Sequence, residues 1–157
     1  MTDITLLDGG MGQELVRRSG DEPTPLWATQ VMLDHPGIVA AVHRDYFDAG
    51  ATVATTNTYA IHRDRFAGTK LDGKLADLVG AALDEAEIAA NGRADVRVAG
   101  SIGPLVASYR PETHPSHDVA VPLYAELATM LASHVDLILV ETVASVDHAA
   151  AALEGAR

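Results

Sequence analysis

Ile4-Thr5-Leu6-Leu7-Asp8-Gly9-Gly10 is a short apolar run that ends abruptly in an acidic residue and two glycines. Such a run is typical of a buried strand followed by a tight turn. Three further apolar runs end in the same manner, in polar or glycine residues. They span residues 51–55, 96–99 and 137–140. Because their apolar residues mostly follow one another rather than alternate, we expect strands that protein covers on both faces.

Segments with helical periodicity follow the four runs. The longest carries one apolar face, made of Leu71, Leu75, Leu78, Ala82, Ala86 and Ala89. The others are a short helix over residues 12–18, a helix near Pro36 that Asp34 caps and Gly50 ends, a helix with Pro122 in its first turn, and a helix that Ser145 caps. Strand and helix therefore alternate four times, which predicts an α/β protein with a parallel sheet and right-handed crossovers.

Two parallel-sheet folds compete for this pattern. A doubly wound open sheet of four or five strands fits within 157 residues. A complete (β/α)8 barrel typically needs about 250 residues, far more than this chain has. Pattern and length alone therefore favour the open sheet. We expect one domain over residues 1–157 and no second domain.

Charge and cysteine content exclude several classes of function. Asp and Glu total 22 against 11 Lys and Arg, for a net charge of −11, so nucleic acid and anionic membrane surfaces are poor partners. The absence of cysteine excludes a disulfide scaffold, a thiol nucleophile and any zinc site built from this chain's own thiolates. Residues 1–5 do not resemble a secretory signal, so we expect a soluble cytoplasmic protein that acts on a small molecule.

The strand ends supply the candidate site, because parallel folds bind ligands at the carboxyl edge of the sheet. Asp8 and Glu141 would flank the same mouth, where carboxylates can hold an ammonium group and glycines let backbone amides approach a ligand. The alternative is structural, with Asp8 capping the next helix and Glu141 capping or pairing locally. Four similar strand ends favour the functional interpretation.

Other motifs point away from common cofactors. Gly10-Met11-Gly12 fails the dinucleotide fingerprint because Leu15 stands where its third glycine belongs. His114 and His117 are the only histidines close enough in sequence to suggest a shared metal, and solvated loop histidines are the better interpretation. We expect His43 and His134 to be partly exposed on helices. Trp27 would lie in the first long loop, either over the mouth or as an anchor.

At this point the residues resemble a known family, the homocysteine S-methyltransferases. The first match is Leu6-Leu7-Asp8-Gly9-Gly10-Met11-Gly12-Gln13-Glu14-Leu15, which is similar to that family's opening. The second, third and fourth strand ends resemble the family's in Thr55-Thr56-Asn57-Thr58-Tyr59, Gly100-Ser101-Ile102-Gly103-Pro104 and Val140-Glu141-Thr142. Pro25-Leu26-Trp27, His35-Pro36 and Tyr46 before Ala49-Gly50-Ala51 also match. The matches keep the family's order and spacing along the whole chain.

The resemblance implies a fold and a reaction. The family forms a (β/α)8 TIM barrel, of which this chain would supply four consecutive βα units, the amino-terminal half. The family transfers a methyl group to the sulfur of homocysteine and gives methionine, with S-methylmethionine, S-adenosylmethionine, betaine or methylcobalamin as donor. A catalytic Zn²⁺ held by three cysteines binds the homocysteine thiolate in the family. Those cysteines would follow Arg157, and this chain has none.

Carried over by motif, the resemblance assigns substrate-binding residues but no catalytic residue and no metal ligand. They are Asp8, Gly9, Gly10, Met11, Thr56, Asn57, Ser101, Glu141 and Thr142. Asp8 and Glu141 would hold the amino group of homocysteine or nearby backbone. Three hypotheses remain: an enzyme half that is inactive by itself, a non-catalytic half barrel that dimerises or binds a partner half, and an unrelated open sheet whose strand order is not sequential.

Overall fold

Three of the four apolar runs form parallel strands between helices. In the computed structural model, which describes residues 4–22 and 27–157, strands and helices alternate as follows: α1 (Met11–Ser19), α2 (Trp27–Asp34), α3 (Ile38–Asp48), β1 (Val53–Thr55), α4 (Arg63–Phe66), α5 (Leu75–Ala90), β2 (Arg97–Ile102), α6 (His117–Leu131), β3 (Leu137–Val140) and α7 (Val146–Gly155). A single 3₁₀ turn, Pro111–Thr113, precedes α6. Pro25 and Leu26, part of one family match, lie outside the described residues.

The sheet is parallel, and its strand order is β1-β2-β3. Thr55 pairs with Ala99, and Ile102 pairs with Val140. The α/β class and the parallel sheet are therefore confirmed. A sequential order is the order that a barrel segment requires, and it differs from the order expected of the unrelated open sheet.

The first predicted strand is reduced to one bridge, between Leu7 and Val53. The Thr52 amide donates to the Leu6 carbonyl over 2.9 Å, and the Asp8 amide donates to the Val53 carbonyl over 3.0 Å. Pairing stops there because the chain turns at Gly9 and Gly10 and enters α1 at Met11. The segment is parallel to β1, as predicted, but among the described residues it is too short to count as a strand.

The helices bury their apolar faces against the sheet and against one another. Fully buried core side chains come from α1, α3, α5, α6 and strand β2, and include Leu15, Val39, Leu78, Leu127, Leu131 and Ile102. This core holds the carboxyl ends of the strands at one edge. The described residues contain no helix that is long and apolar enough to cross a membrane.

Two predictions near α3 were wrong. Trp27 begins helix α2 instead of lying in a loop, and Asp34 ends α2 instead of capping the next helix. The cap of α3 comes from a distant residue: the Gly37 and Ala40 amides donate to the Glu85 carboxylate over 2.5 and 2.7 Å. Glu85 is almost wholly buried. A carboxylate at a helix amino terminus satisfies free amides and complements the helix dipole.

Among the other helix ends, Gly50 and Ser145 were predicted correctly, whereas Leu71 and Pro122 were not. Leu71 precedes α5, which begins at Leu75. Gly50 has a φ of 106°, the left-handed conformation that ends a helix. The Ser145 hydroxyl accepts from the His148 amide over 3.2 Å at the start of α7. Pro122, however, lies inside α6 and not in its first turn, because α6 begins at His117. The helix loses one backbone bond there, since proline has no amide hydrogen.

Candidate functional site

A cavity of about 790 Å³ opens at the carboxyl ends of the strands. Eight of the nine predicted site residues line it: Asp8, Gly9, Gly10, Met11, Thr56, Asn57, Glu141 and Thr142. Ser101, the ninth, is wholly buried, and its hydroxyl donates to Glu141 Oε1 over 2.5 Å. The fold therefore brings these residues together, while their role as substrate ligands stays a prediction.

Asp8 is held tightly by the protein. Its Oδ2 accepts from the Thr55 amide over 2.8 Å, and its Oδ1 accepts from the Thr55 hydroxyl over 2.6 Å. His43 Nδ1 lies 3.1 Å from the same Oδ2. Only 2% of the Asp8 side chain is exposed. The carboxylate thus joins the first turn to β1 and α3 and adds negative charge to the cavity wall.

His43 contradicts its sequence expectation. Its side chain is fully buried in α3, and its Nε2 has no hydrogen-bond partner among the described residues. The helical periodicity of α3 gave no sign that Asp8, in the turn before α1, would contact the face of the helix that carries His43. His134 is exposed, but it lies in the turn that follows α6 and not on a helix as predicted.

Glu141 differs from Asp8 because one of its carboxylate oxygens is not used in a hydrogen bond among the described residues. Its Oε1 accepts from Ser101, and within the described part of the chain its Oε2 has no hydrogen-bond partner. The next residue, Thr142, has a φ of 56°, a left-handed conformation that is uncommon for a β-branched residue. Such strain often marks functional sites, and here it sits where the backbone leaves β3 and enters the cavity wall.

The ends of β1 and β2 are tied together by hydroxyl groups. Thr56 Oγ1 accepts from the Ser101 amide over 3.0 Å, and Thr58 Oγ1 donates to the Ser101 carbonyl over 2.6 Å. Asn57 Nδ2 donates to the Ala28 carbonyl in α2 over 3.3 Å. Of these side chains, Thr56 and Asn57 line the cavity, and part of their hydrogen-bonding capacity is already used within the protein.

Two glycines, Gly9 in the first turn and Gly12 in α1, allow the backbone to approach aromatic rings. A Cβ at Gly9 would lie 2.7 Å from the Tyr46 ring, and one at Gly12 would lie 2.3 Å from Trp27 Nε1. Any larger residue would collide at these distances. Trp27 itself lines the cavity, so of the two positions considered from sequence, over the mouth or as a loop anchor, the structure favours the first.

Sequence reasoning missed several cavity residues, among them Tyr59, Arg65, Ser108 and Tyr109. Tyr59 belongs to the second strand-end motif, so its position was a usable signal. Arg65 lies in α4, whose four residues are too few to show periodicity. Ser108 and Tyr109 lie in the loop before the 3₁₀ turn, and no pattern in that loop indicates that it folds over the site.

The candidate histidine pair does not share a site. His114 stacks on His148 with ring centroids 3.7 Å apart, and its Nε2 lies 3.1 Å from the Tyr124 hydroxyl. His117 instead faces Glu154, with Nε2 3.4 Å from its Oε2. His114 is therefore a packed residue and not the solvated one expected.

The residues present do not fit the family's zinc. Within residues 4–22 and 27–157, no group of three His, Asp or Glu side chains is placed to hold a metal ion. The complete sequence has no cysteine. A site of three thiolates therefore cannot be assembled from this chain.

Comparisons with known proteins agree with the motifs. The family model described as homocysteine S-methyltransferase matches residues 5–157. The chain is 34% identical over 156 residues to homocysteine S-methyltransferase of Escherichia coli (strain K12), which covers 89% of this chain and 50% of that protein. It is 35% identical over 68 residues to homocysteine S-methyltransferase YbgG of Bacillus subtilis (strain 168), which covers 43% of this chain and 22% of that protein.

Solved structures give the same result. The metallated form of the homocysteine methyltransferase MmuM from Escherichia coli superimposes with a TM-score of 0.82 at 30% identity, over 96% of this chain and 57% of that one. Its apo form gives a TM-score of 0.72 at 28% identity, over 98% of this chain and 55% of that one. The chain thus spans about half the length of these Escherichia coli proteins.

Proposed function

Since the chain belongs to the homocysteine S-methyltransferase family, we propose that it forms the amino-acid-binding side of an enzyme that methylates homocysteine to methionine. The observation that carries this proposal is the convergence of eight family-matched strand-end residues on one cavity. In this arrangement the chain is the first four βα units of a (β/α)8 barrel. Of the two carboxylates that line the cavity, only Glu141 keeps an oxygen without a hydrogen-bond partner among the described residues, and in this proposal that oxygen faces the substrate ammonium group.

The chemistry follows from the substrate. The homocysteine sulfur attacks the methyl carbon of a sulfonium donor such as S-methylmethionine or S-adenosylmethionine. A sulfur–carbon bond forms on homocysteine while the donor's bond to the same methyl group breaks, and the donor leaves as a neutral thioether. The thiol proton must be lost first, because the thiolate is the nucleophile. This chain's residues bind and orient the amino acid, and the sulfur's activation must come from elsewhere.

We propose that the Zn²⁺ ligands lie outside this chain. Because its own residues do not fit the metal, the 157-residue chain should bind zinc weakly and transfer no methyl group. The test is to incubate the purified chain with homocysteine, S-methylmethionine and zinc and to measure methionine by mass spectrometry. Turnover by the chain alone would contradict this part of the proposal.

A fusion tests the positive part of the proposal. The chain is joined to the carboxyl-terminal half of the Escherichia coli relative, and methionine formation is measured with and without zinc. Activity that requires both halves, and that Glu141→Gln reduces sharply, supports the assignment. A soluble, zinc-loaded fusion that binds no homocysteine would count against it.

A second function is favoured by the exposed sheet edges. Ile4, Leu6 and Leu7 are 91%, 52% and 42% exposed at one edge, and all four residues of β3 are only partly buried at the other. Unpaired apolar edges favour strand pairing with another chain. The alternative is therefore a non-catalytic half barrel that self-associates or binds a partner half. A monomeric mass in sedimentation at high protein concentration would argue strongly against it.

A further inference from the structure

One wall of the cavity carries a positive charge that the residues discussed above do not use. Among the described residues that line the cavity, Arg65 is the only cationic side chain. It lies in α4, which follows the second strand end. The other charged lining residues are Asp8 and Glu141. The cavity therefore presents both signs of charge.

Part of the Arg65 guanidinium already has partners. Its Nε and Nη2 donate to the Pro104 carbonyl over 3.2 and 2.7 Å, and Nη2 lies 3.5 Å from the Ser108 hydroxyl. These bonds hold the loop that covers the site. In the part of the chain that the structure describes, the two hydrogens on Nη1 have no acceptor.

Arg65 also differs from most arginines because no carboxylate of the described residues forms an ion pair with it. Five other arginines form ion pairs among the described residues: Arg17, Arg18, Arg63, Arg93 and Arg110. Arg65 instead lies beside an aromatic ring, with its guanidinium carbon 5.9 Å from the Tyr59 ring centroid. Burial lowers its pKa. A partly desolvated cation without an acidic partner is stabilised when it binds an anion.

We infer that Arg65 binds the α-carboxylate of an amino-acid ligand in this cavity, while Glu141 faces the ligand's ammonium group. The inference rests on the proposed function and extends it by naming the carboxylate site. A planar guanidinium suits this role because its hydrogens match the two oxygens of a carboxylate. The existing bonds to Pro104 and Ser108 fix the guanidinium in place, so little side-chain entropy remains to be lost on binding.

The ligand can be the methyl acceptor or the methyl donor, because homocysteine and S-methylmethionine carry the same α-carboxylate. Each is therefore titrated into the complete 157-residue chain by NMR, beside an analogue that lacks only the carboxylate. The analogues are 3-aminopropane-1-thiol for homocysteine and 3-(dimethylsulfonio)propylamine for S-methylmethionine. We expect at least one amino acid to bind roughly tenfold or more tightly than its analogue, since hydrogen bonds to charged groups are strong.

Variants of Arg65 test whether this residue causes the tighter binding of ligands that carry the carboxylate. Arg65→Gln should abolish the preference for the carboxylate, and Arg65→Lys should keep part of it. The matched control is Arg63→Gln, two residues away on α4, which removes an exposed pair with Glu126 and should leave the preference unchanged. Thermal unfolding of each variant identifies any loss of folding, and the wild-type comparison of ligands does not depend on the variants.

The outcomes separate the two proposals. If the wild type binds homocysteine, and neither homocysteine nor S-methylmethionine binds more tightly than its own analogue, the Arg65 inference is overturned and the proposed homocysteine site is retained. If S-methylmethionine binds more tightly than its analogue and homocysteine does not bind at all, the inference is supported for the donor. The same result counts against the proposed homocysteine site. Failure of the chain to bind any of the four compounds overturns both.

Discussion

The His43 imidazole lies 3.1 Å from the Asp8 carboxylate, and both side chains are removed from solvent. Asp8 belongs to the first turn and His43 to α3, so this contact connects the start of the chain to a helix 35 residues later. Together with Thr55, the pair fixes the glycine turn that forms one side of the cavity. The same carboxylate thus serves the fold and the shape of the site.

Asp8→Asn should destabilise the protein. The amide would supply one acceptor oxygen in place of two, so one of the bonds from Thr55 or His43 would be lost. We expect the free energy of unfolding to fall by about 2 kcal/mol, measured by urea denaturation. The control is Asp21→Asn, whose partner His35 is exposed and whose effect should be within about 0.5 kcal/mol. Equal effects of the two substitutions would show that the buried contact contributes little.

Glu141→Gln should weaken ligand binding more than stability. The amide oxygen can still accept from Ser101, but the negative charge that faces an ammonium group is gone. We expect homocysteine affinity to fall roughly tenfold or more, while the urea midpoint changes little. Calorimetric or NMR titration measures the affinity, with the exposed Glu87→Gln as the control. An unchanged affinity would remove Glu141 from the proposed site.

Gly103→Ala should be strongly destabilising. A Cβ at this position would lie 2.4 Å from the Tyr59 carbonyl oxygen, a backbone atom that cannot move alone. Overpacking of this kind costs about 1–3 kcal/mol. Gly80→Ala is the matched control, because a Cβ there meets nothing within 4 Å and alanine favours the α5 helix. Urea denaturation should show a loss for the first variant and no loss for the second.

Stability should decline on mild acidification, in part through His62. Burial, and then the charge of Arg65, lowers its pKa from 6.5 to about 3. Between these values the unfolded chain binds a proton here that the folded chain does not. The contribution of His62 to the free energy of unfolding is therefore fully present above pH 6.5. It is lost as the pH falls toward 3, by at most about 1.4 kcal/mol per pH unit.

His62→Leu should flatten that pH dependence. Urea denaturation across the range from about pH 7 to about pH 5 would measure it, with exposed His134→Gln as the control. Some slope should remain in the variant, because burial also lowers the pKa of His114. If the wild type and His62→Leu lose stability equally over this range, protonation of His62 is not the cause.

Local signals explain which parts of the fold were predictable. Ser145 directly precedes α7 and caps it, and Gly50 ends α3 through its own backbone conformation, so both could be predicted from sequence. Glu85 caps α3 from 45 residues beyond Ala40, and no local pattern indicates this. Sequence alone favours Asp34 as the cap, because it lies close to the start of the helix and aspartate is a preferred N-cap residue.

In the candidate site, too, features set by local sequence were predictable, whereas features set by contacts between distant residues were not. The strand-end residues were found because the carboxyl ends of parallel strands must meet at one edge. Asp8 was assigned to the substrate, whereas the structure commits both its oxygens to Thr55 and His43, which are distant in sequence. Arg65 was missed because its place in the cavity wall depends on contacts with Pro104 and Ser108, which are about forty residues away in sequence.

The tertiary cap of α3 has a consequence for how the protein folds. The Gly37 and Ala40 amides acquire their acceptor only after α5 has docked, which requires closing a loop of more than forty residues. Helix α3 should therefore fray at its amino end until β1 and α5 are in place. We expect these elements to form one cooperative folding unit, so that protection of the two amides in hydrogen exchange reports the opening of the whole unit.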